Sequence, residues 1–160
     1  MNKIQKYSIG AALALFYYLA YSGNLSHIIA YHEQHHLFLF TEAYFEQQVQ
    51  SEGFFSYLTD FIIQFFYYPA LGSALLALLL ASVYLMSSNI IRFLFGKEDL
   101  LHLSVIPSLA LFYHTMEASH TMVPITISVL TFAIINLVLW IFRSHMPLIP
   151  LFKNLHIQKK

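Results

Sequence analysis

The chain has no cysteine, and charged residues make up only 10% of its 160 positions. Without cysteine there is no disulfide framework, no thiolate nucleophile and no thiolate metal site. A soluble domain carries roughly 25% charged residues, so a water-facing globule of this length is short of the side chains that would cover it. Basic residues are missing in a patterned way: residues 24–68 hold no Lys or Arg, and neither do residues 117–120. With eight acids balancing eight bases, there is no concentrated basic surface of the kind that nucleic acid requires. A phosphate-binding glycine loop, a serine-nucleophile setting and an internal repeat are also absent. No ionisable acid or base falls near the centre of a long apolar run, as a proton relay or ion pathway would need. His102 and His114 fall near the ends of the third run.

What is present is apolar. Hydrophobic residues make up 58%, with 15 Phe and 11 Tyr, more than a single core of this length can hide. Four apolar runs cover residues 7–23, 70–91, 100–116 and 121–142. Lys3 and Lys6 precede the first, Arg92 and Lys97 separate the second from the third, and Arg143, Lys153, Lys159 and Lys160 follow the fourth. Basic residues are retained on the cytoplasmic side of a membrane. The alternation therefore predicts four spans, both termini cytoplasmic, and residues 24–68 outside. The expected fold is all-α, one membrane domain over residues 1–160: a polytopic membrane protein with four transmembrane helices and two amphipathic surface helices between spans one and two.

Within that frame, Ser8, Gly10, Ala11, Ala12 and Ala14 give span one a small-residue face that admits another helix. No charge intervenes before His32, so the helix can run on to Tyr31; a cleaved signal peptide is the alternative reading of this stretch. Pro69 is expected to break the second run and Pro107 to kink the third. Pro124 suits the first turn of the fourth, and Trp140 an interface. Asn136, strongly polar inside span four, is expected to hydrogen-bond across to another helix.

The outer segment, residues 37–68, carries a stripe at steps of three and four: Phe54, Phe55, Leu58, Phe61, Ile62, Phe65 and Phe66. Ser56, Thr59, Asp60 and Gln64 take the other face. This predicts a helix lying in the membrane surface, with rings toward lipid or the bundle and Asp60 and Gln64 toward water. A weaker helix of the same kind is expected from Leu37, with Ser51, Glu52 and Gly53 as the bend between the two. Phe61, Phe65, Phe66, Tyr67 and Tyr68 form the candidate lipid- or partner-facing cluster, read as an interfacial belt.

His32-Glu33-Gln34-His35-His36 fits the H-E-x-x-H spacing that puts two zinc ligands on one helix face with a carboxylate to activate water. His114, Glu117 and His120, three apart at the same outer surface, are the candidates for the missing ligand. Nine histidines in 160 residues make such spacings easy by chance, and solvated interfacial histidines are the favoured reading, with no metal and no cofactor expected. Glu33 is expected to stand at the start of the Leu37 helix, where an anion is stabilised.

The run Glu33-Gln34, Leu37-Phe38-Leu39-Phe40-Thr41, Tyr44-Phe45, Gly53, Tyr57-Leu58, Phe61, Gln64-Phe65-Phe66-Tyr67-Tyr68-Pro69 resembles the N-terminal signature of an uncharacterised family. Its members are polytopic membrane proteins of Bacteroides-type bacteria that carry a domain of unknown function. The likeness covers about the first 95 residues; Gly53 stands where the family pattern tends to a Pro-Gly-Gly. It implies a bacterial inner-membrane protein and brings no activity. Family members are usually longer, so this chain reads either as a short form or as the N-terminal part of a longer protein. A span, an outer segment with an early acid and two surface helices, then a second span is also similar to the start of C-superfamily glycosyltransferases, which use polyprenyl-linked donors. That likeness implies Glu33 as the acidic residue. The expected role is a non-catalytic membrane module whose outer segment meets a lipid-linked glycan or a partner membrane protein, with membrane lipid and other membrane helices as neighbours. A glycosyltransferase-like module and an outer metal site are the alternatives.

Overall fold

In the computed structural model, which describes residues 3–35, 38–95 and 102–145, every regular element is helical. Helix α1 (Lys3–Ser22) lies antiparallel to α5 (Pro69–Phe95): the Lys6 ammonium donates to the Asn89 side-chain carbonyl, and the Tyr84 hydroxyl reaches the Lys6 carbonyl. Gly10 makes the approach possible, since a Cβ there would stand 3.1 Å from Leu85. Of the small residues expected to form a helix-packing face, Gly10 alone is buried; Ser8, Ala11 and Ala12 stay exposed.

Helix α1 does not run on to Tyr31. Gly23 and Leu25 amides fold back onto the Leu19 and Ala20 carbonyls, closing its last turn. A separate helix α2 (Ser26–His35) follows, with Ile28, Ile29 and His32 buried. Helix α3 (Glu42–Ser51) starts at Thr41, whose hydroxyl accepts from the Tyr44 amide, and carries Glu42 in its first turn, where the helix dipole favours an anion. The expected bend is present: α3 ends at Ser51 and α4 (Phe54–Ile63) begins after Gly53, whose φ of 93° is open to glycine at little cost. A 3-10 turn (Gln64–Tyr67) and Pro69 at the first position of α5 then separate α4 from α5.

Helix α5 is the axis, in contact with α1, α2, α6, α7 and the 3-10 turn. Helix α7 (Val123–His145) runs parallel to it: Asn136 Nδ2 donates to the Met86 carbonyl at 3.2 Å, as expected of that residue, while Met122 and Ile125 meet Leu76 and Leu79 nearer the helix starts. The core of Tyr17, Tyr21, Ile28, Ile29, Ile63, Phe66, Leu76, Leu80, Met122 and Ile125 gathers at that same end.

The third apolar run departs most from expectation. Helix α6 is only Val105–His114, about 15 Å long at ~1.5 Å per residue, half of a ~30 Å hydrocarbon core. Ser108 donates to the Leu80 carbonyl, which lies near the middle of α5, so α6 covers only the half of the bundle toward its own C-terminus. Pro107 sits in its first turn and makes no kink. The Val105 and Ile106 amides bond back to His102 and Leu103, and Pro107 has no amide. The donors a helix start leaves open are thus already engaged.

Among the described residues, two helices are both long and apolar enough to cross a membrane: α5 over its whole length and Val123–Ser144 of α7. Four such spans are not seen. Lysines and tyrosines lower the apolarity of α1, and α6 is too short. Charge still segregates by end. Lys6, Arg92 and Arg143 lie at one end of the α1–α5–α7 group; Glu33, Glu42, Glu46, Glu52, Asp60 and Glu117 lie on the elements gathered at the other.

Candidate functional site at the acidic end

Helix α4 is turned the opposite way to the expectation for Asp60. Its buried residues are Ser56, Thr59, Asp60 and Ile63, and Asp60 is 4% exposed. Its polar face packs on α3 and α7, while Phe54 and Phe55 point outward. The cause is a partner face of matching chemistry. Gln48 Nε2 donates to Asp60 at 2.8 Å and to Glu52 at 3.0 Å. The Tyr44 hydroxyl donates to Asp60 at 3.3 Å, Ser56 donates to Glu52 at 2.8 Å, and the Thr59 and Thr126 hydroxyls meet at 2.9 Å. A buried carboxylate is tolerated when donors reach it. Burial first, then the charge of Asp60 and the bond to it, push the Tyr44 hydroxyl up to about 12, so Tyr44 stays protonated and remains a donor. The set works as a pin between α3 and α4.

Outside the pin lies an aromatic surface. Phe38 meets Phe40, Tyr44, Tyr57 and Phe61 at centroid distances of 4.8–5.6 Å, and Phe61 meets Phe65 at 5.6 Å. Of the five-residue cluster expected to face lipid or a partner, Tyr67 and Tyr68 are exposed and Phe61 and Phe65 half-buried. Phe66 is not on that surface. It is buried in the core, and its ring and Cα close over Gly72, where a Cβ would come within 2.6 Å and 2.9 Å. The 3-10 turn rotates it inward, away from the stripe an uninterrupted helix would draw.

The histidine and acid candidates are placed separately. Glu33 lies on the last turn of α2, not at the start of a helix; Thr41 and Glu42 serve the α3 start instead. His32 is buried beside the edge of Tyr31, and His36 lies outside the described residues. His114 and His120 stack nearly parallel at 4.7 Å. His114 Nε2 donates to the Thr121 carbonyl, His120 Nδ1 to the His114 carbonyl, and Glu117 stands 3.4 Å from His120 Nε2. Parallel rings direct their lone pairs side by side, not onto one point. No group of three His, Asp or Glu poised for a metal occurs among the described residues.

Two buried packing tyrosines were not singled out in the sequence. Tyr17 and Tyr21 are fully buried, with hydroxyls bonded to Ser108 and Thr115 of the α6 region. Their spacing from Gly10, seven and then four residues, puts all three on one face of α1, and that is the signal that would have found them.

No curated protein and no solved structure matches the chain. A family model does, and its match extends well past the first 95 residues. Over residues 2–155 the chain belongs to DUF6057, a family of unknown function.

Proposed function

We propose that this protein is a non-catalytic integral membrane module. The observation that carries the reading is α7. Only 11% of its most apolar 18-residue window is buried, and Ile134, Leu137, Val138, Trp140, Ile141 and Phe142 are all exposed. Fully burying one such side chain is worth about 1.5–3 kcal/mol; the six are 42–66% exposed, so together they withhold roughly 5–9 kcal/mol from a structure left in water, comparable to the whole stability of an ordinary domain. Helix α7 is neither a soluble core helix nor an N-terminal signal, and a hydrocarbon surround removes the conflict.

In this reading α1, α5 and α7 cross a bacterial inner membrane and α6 fills the outer half beside them. The end bearing Lys6, Arg92 and Arg143 faces the cytoplasm, because basic residues are retained there. The α3–α4 hairpin lies on the outer surface with Phe54, Phe55, Tyr67 and Tyr68 toward lipid or a partner membrane protein. The pin around Asp60 supports a structural role, since its carboxylate is already engaged by Tyr44 and Gln48. The absence of native cysteine allows a clean test. Gln47→Cys, exposed on α3, should react with a membrane-impermeant thiol reagent in intact cells, and Ser144→Cys only after permeabilisation. The reverse pattern refutes the orientation, and release of the protein by alkaline carbonate refutes integral insertion.

A further inference from the structure

The late start of α6 carries a histidine inward from the membrane edge, and printed contacts fix how far. Ser108 donates to the Leu80 carbonyl and meets the Tyr17 hydroxyl at 2.8 Å, so it is level with Leu80 on α5. The Thr115 hydroxyl bonds Tyr21 nearer the acidic end, so α6 begins on the basic side of that level. His102 precedes Ser108 by six residues, and its carbonyl accepts from the Val105 amide at 3.0 Å in the turn that leads into the helix. At ~1.5 Å per residue, His102 lies about 9 Å closer to the basic end than Leu80, level with Met86. Arg92 is a further six residues along α5, about 9 Å beyond His102 by the same rise. The Asn136 bond to the Met86 carbonyl sets the register of α7 and brings Arg143 to about the level of Arg92. Both arginines therefore mark an edge that His102 stands well inside. His102 and Leu103 are exposed, and the His102 φ of 50° makes a left-handed turn. Irregular backbone at membrane depth is stable only where it is packed in protein or lines water, and an imidazole turned toward hydrocarbon is costly. These two residues are not packed in protein, so water reaches them. It comes from the basic end, because toward the acidic end α6 closes the way with Ser104, Ser108 and Thr115 buried.

We propose that a water-filled crevice opens from the cytoplasmic side along α5 and ends at His102, where α6 begins. The crevice rests on the membrane reading above. It admits water and small hydrophilic solutes to the inner half of the membrane. It also makes His102 an ionisable group within the membrane that the cytoplasmic side alone can reach. The start of α6 is not itself an anion site, because its amides are engaged by His102 and Leu103. The crevice follows from the shortness of α6: a full span over the third apolar run would have left His102 at the cytoplasmic edge.

The experiment measures thiol reactivity at matched depth in the full chain, which has no cysteine of its own. A charged, membrane-impermeant thiosulfonate reacts with the thiolate, and an apolar surround suppresses that form by up to about a thousand-fold. In inverted membrane vesicles, which present the cytoplasmic side, His102→Cys should react at a rate near that of Ser144→Cys. Leu137→Cys is the control, since Leu137 follows Asn136, shares the depth of His102 and is exposed on α7. Facing lipid, it should react up to about a thousand-fold more slowly. Leu103→Cys keeps His102 in place and should behave as His102→Cys does, which covers a fold disturbed by loss of the histidine. In right-side-out vesicles neither should react until the membrane is permeabilised. His102→Cys and Leu103→Cys as slow as Leu137→Cys, or reacting from the outer side, overturns the proposal. Leu137→Cys as fast as Ser144→Cys counts instead against the membrane reading, so the two failures are distinguishable.

Discussion

Removing the Asp60 carboxylate should loosen one helix and leave the rest of the bundle in place. Helix α3 has no buried residue, and its packing is mainly on α4. What fastens it is the pair of donors on its inner face, Tyr44 and Gln48, both directed at Asp60. A hydrogen bond to a charged group contributes about 1.5–3 kcal/mol. The 2.8 Å bond from Gln48 carries most of this; the 3.3 Å bond from Tyr44 is long and adds little. Gln48 keeps its contact to Glu52 in the variant and is only half-buried, so water repairs part of the loss. The net effect of Asp60→Ala is about 2 kcal/mol, or roughly a thirty-fold rise in the population of states with α3 detached.

Hydrogen exchange read by mass spectrometry on protein in micelles resolves this by segment. Amides of α3 should exchange about thirty-fold faster in Asp60→Ala, and by an intermediate factor in Asp60→Asn, which keeps one acceptor oxygen but no charge. Amides of α5 should not change. Two results refute the reasoning: α3 protected as before, meaning that the ring contacts of Tyr44 and Phe45 suffice to hold it, or α5 accelerating together with α3, meaning that Asp60 supports the whole fold.

Gly72→Ala drives a methyl against both the ring and the Cα of Phe66; because backbone is involved, ring rotation cannot relieve it, and thermal unfolding in detergent should show a loss of about 1–3 kcal/mol. An unchanged Tm contradicts the close approach of the 3-10 turn to α5. Asn136→Leu removes the bond to the Met86 carbonyl and should cost about 1 kcal/mol or less by the same measurement. Tyr44 gives a pH signature: burial and the Asp60 charge push its hydroxyl from the ordinary 10.0 up to about 12, so its contribution is complete below pH 10 and is lost as pH rises from there through about 12. Tyr44→Phe should flatten that part of the profile of α3 protection, and a profile with the same fall in both proteins excludes Tyr44 as its source.

Much of the architecture could be read from single residues. Pro69 and Gly53 mark real boundaries because their constraints are local: a missing amide and a positive φ act whatever surrounds them. Asn136 was legible because a lone amide in an apolar helix has few choices. Charge segregation was visible for a similar reason, since it depends on order along the chain. The direction of α4 was not legible. Periodicity finds two faces but does not say which is buried, and that depended on α3 presenting Tyr44 and Gln48 one turn apart to meet Asp60. The shortness of α6 was hidden as well, because the apolar run continues through residues that do not all enter the helix. The site residues fared least well, since His32, Glu33, His114 and His120 were linked by spacing, and spacing along the chain does not bring separate helices together.

The two misread helices point to one physical asymmetry. At the acidic end, α2, α6 and the 3-10 turn pack on α5 and α4 packs on α7 and the 3-10 turn, and Ile125 and Thr126 of α7, with Met122 just before it, are buried. Toward the basic end, α6 has not yet begun, and the described packing reduces to α1, α5 and α7. There α7 exposes Leu137, Trp140 and Phe142, and α1 exposes Ile4 and Tyr7. The same helix is thus buried at Ile125 and Thr126 in its first turn and surface in its last three, while it stays apolar as far as Phe142. In water such a helix would fold its free half back onto the bundle. In hydrocarbon it has no reason to, because lipid tails are as apolar as a neighbouring helix. Inward polar faces at α4 and outward apolar faces at α7 are therefore one arrangement under the proposed membrane reading, in which hydrogen bonds and close fit hold the acidic half together and lipid would accommodate the basic half.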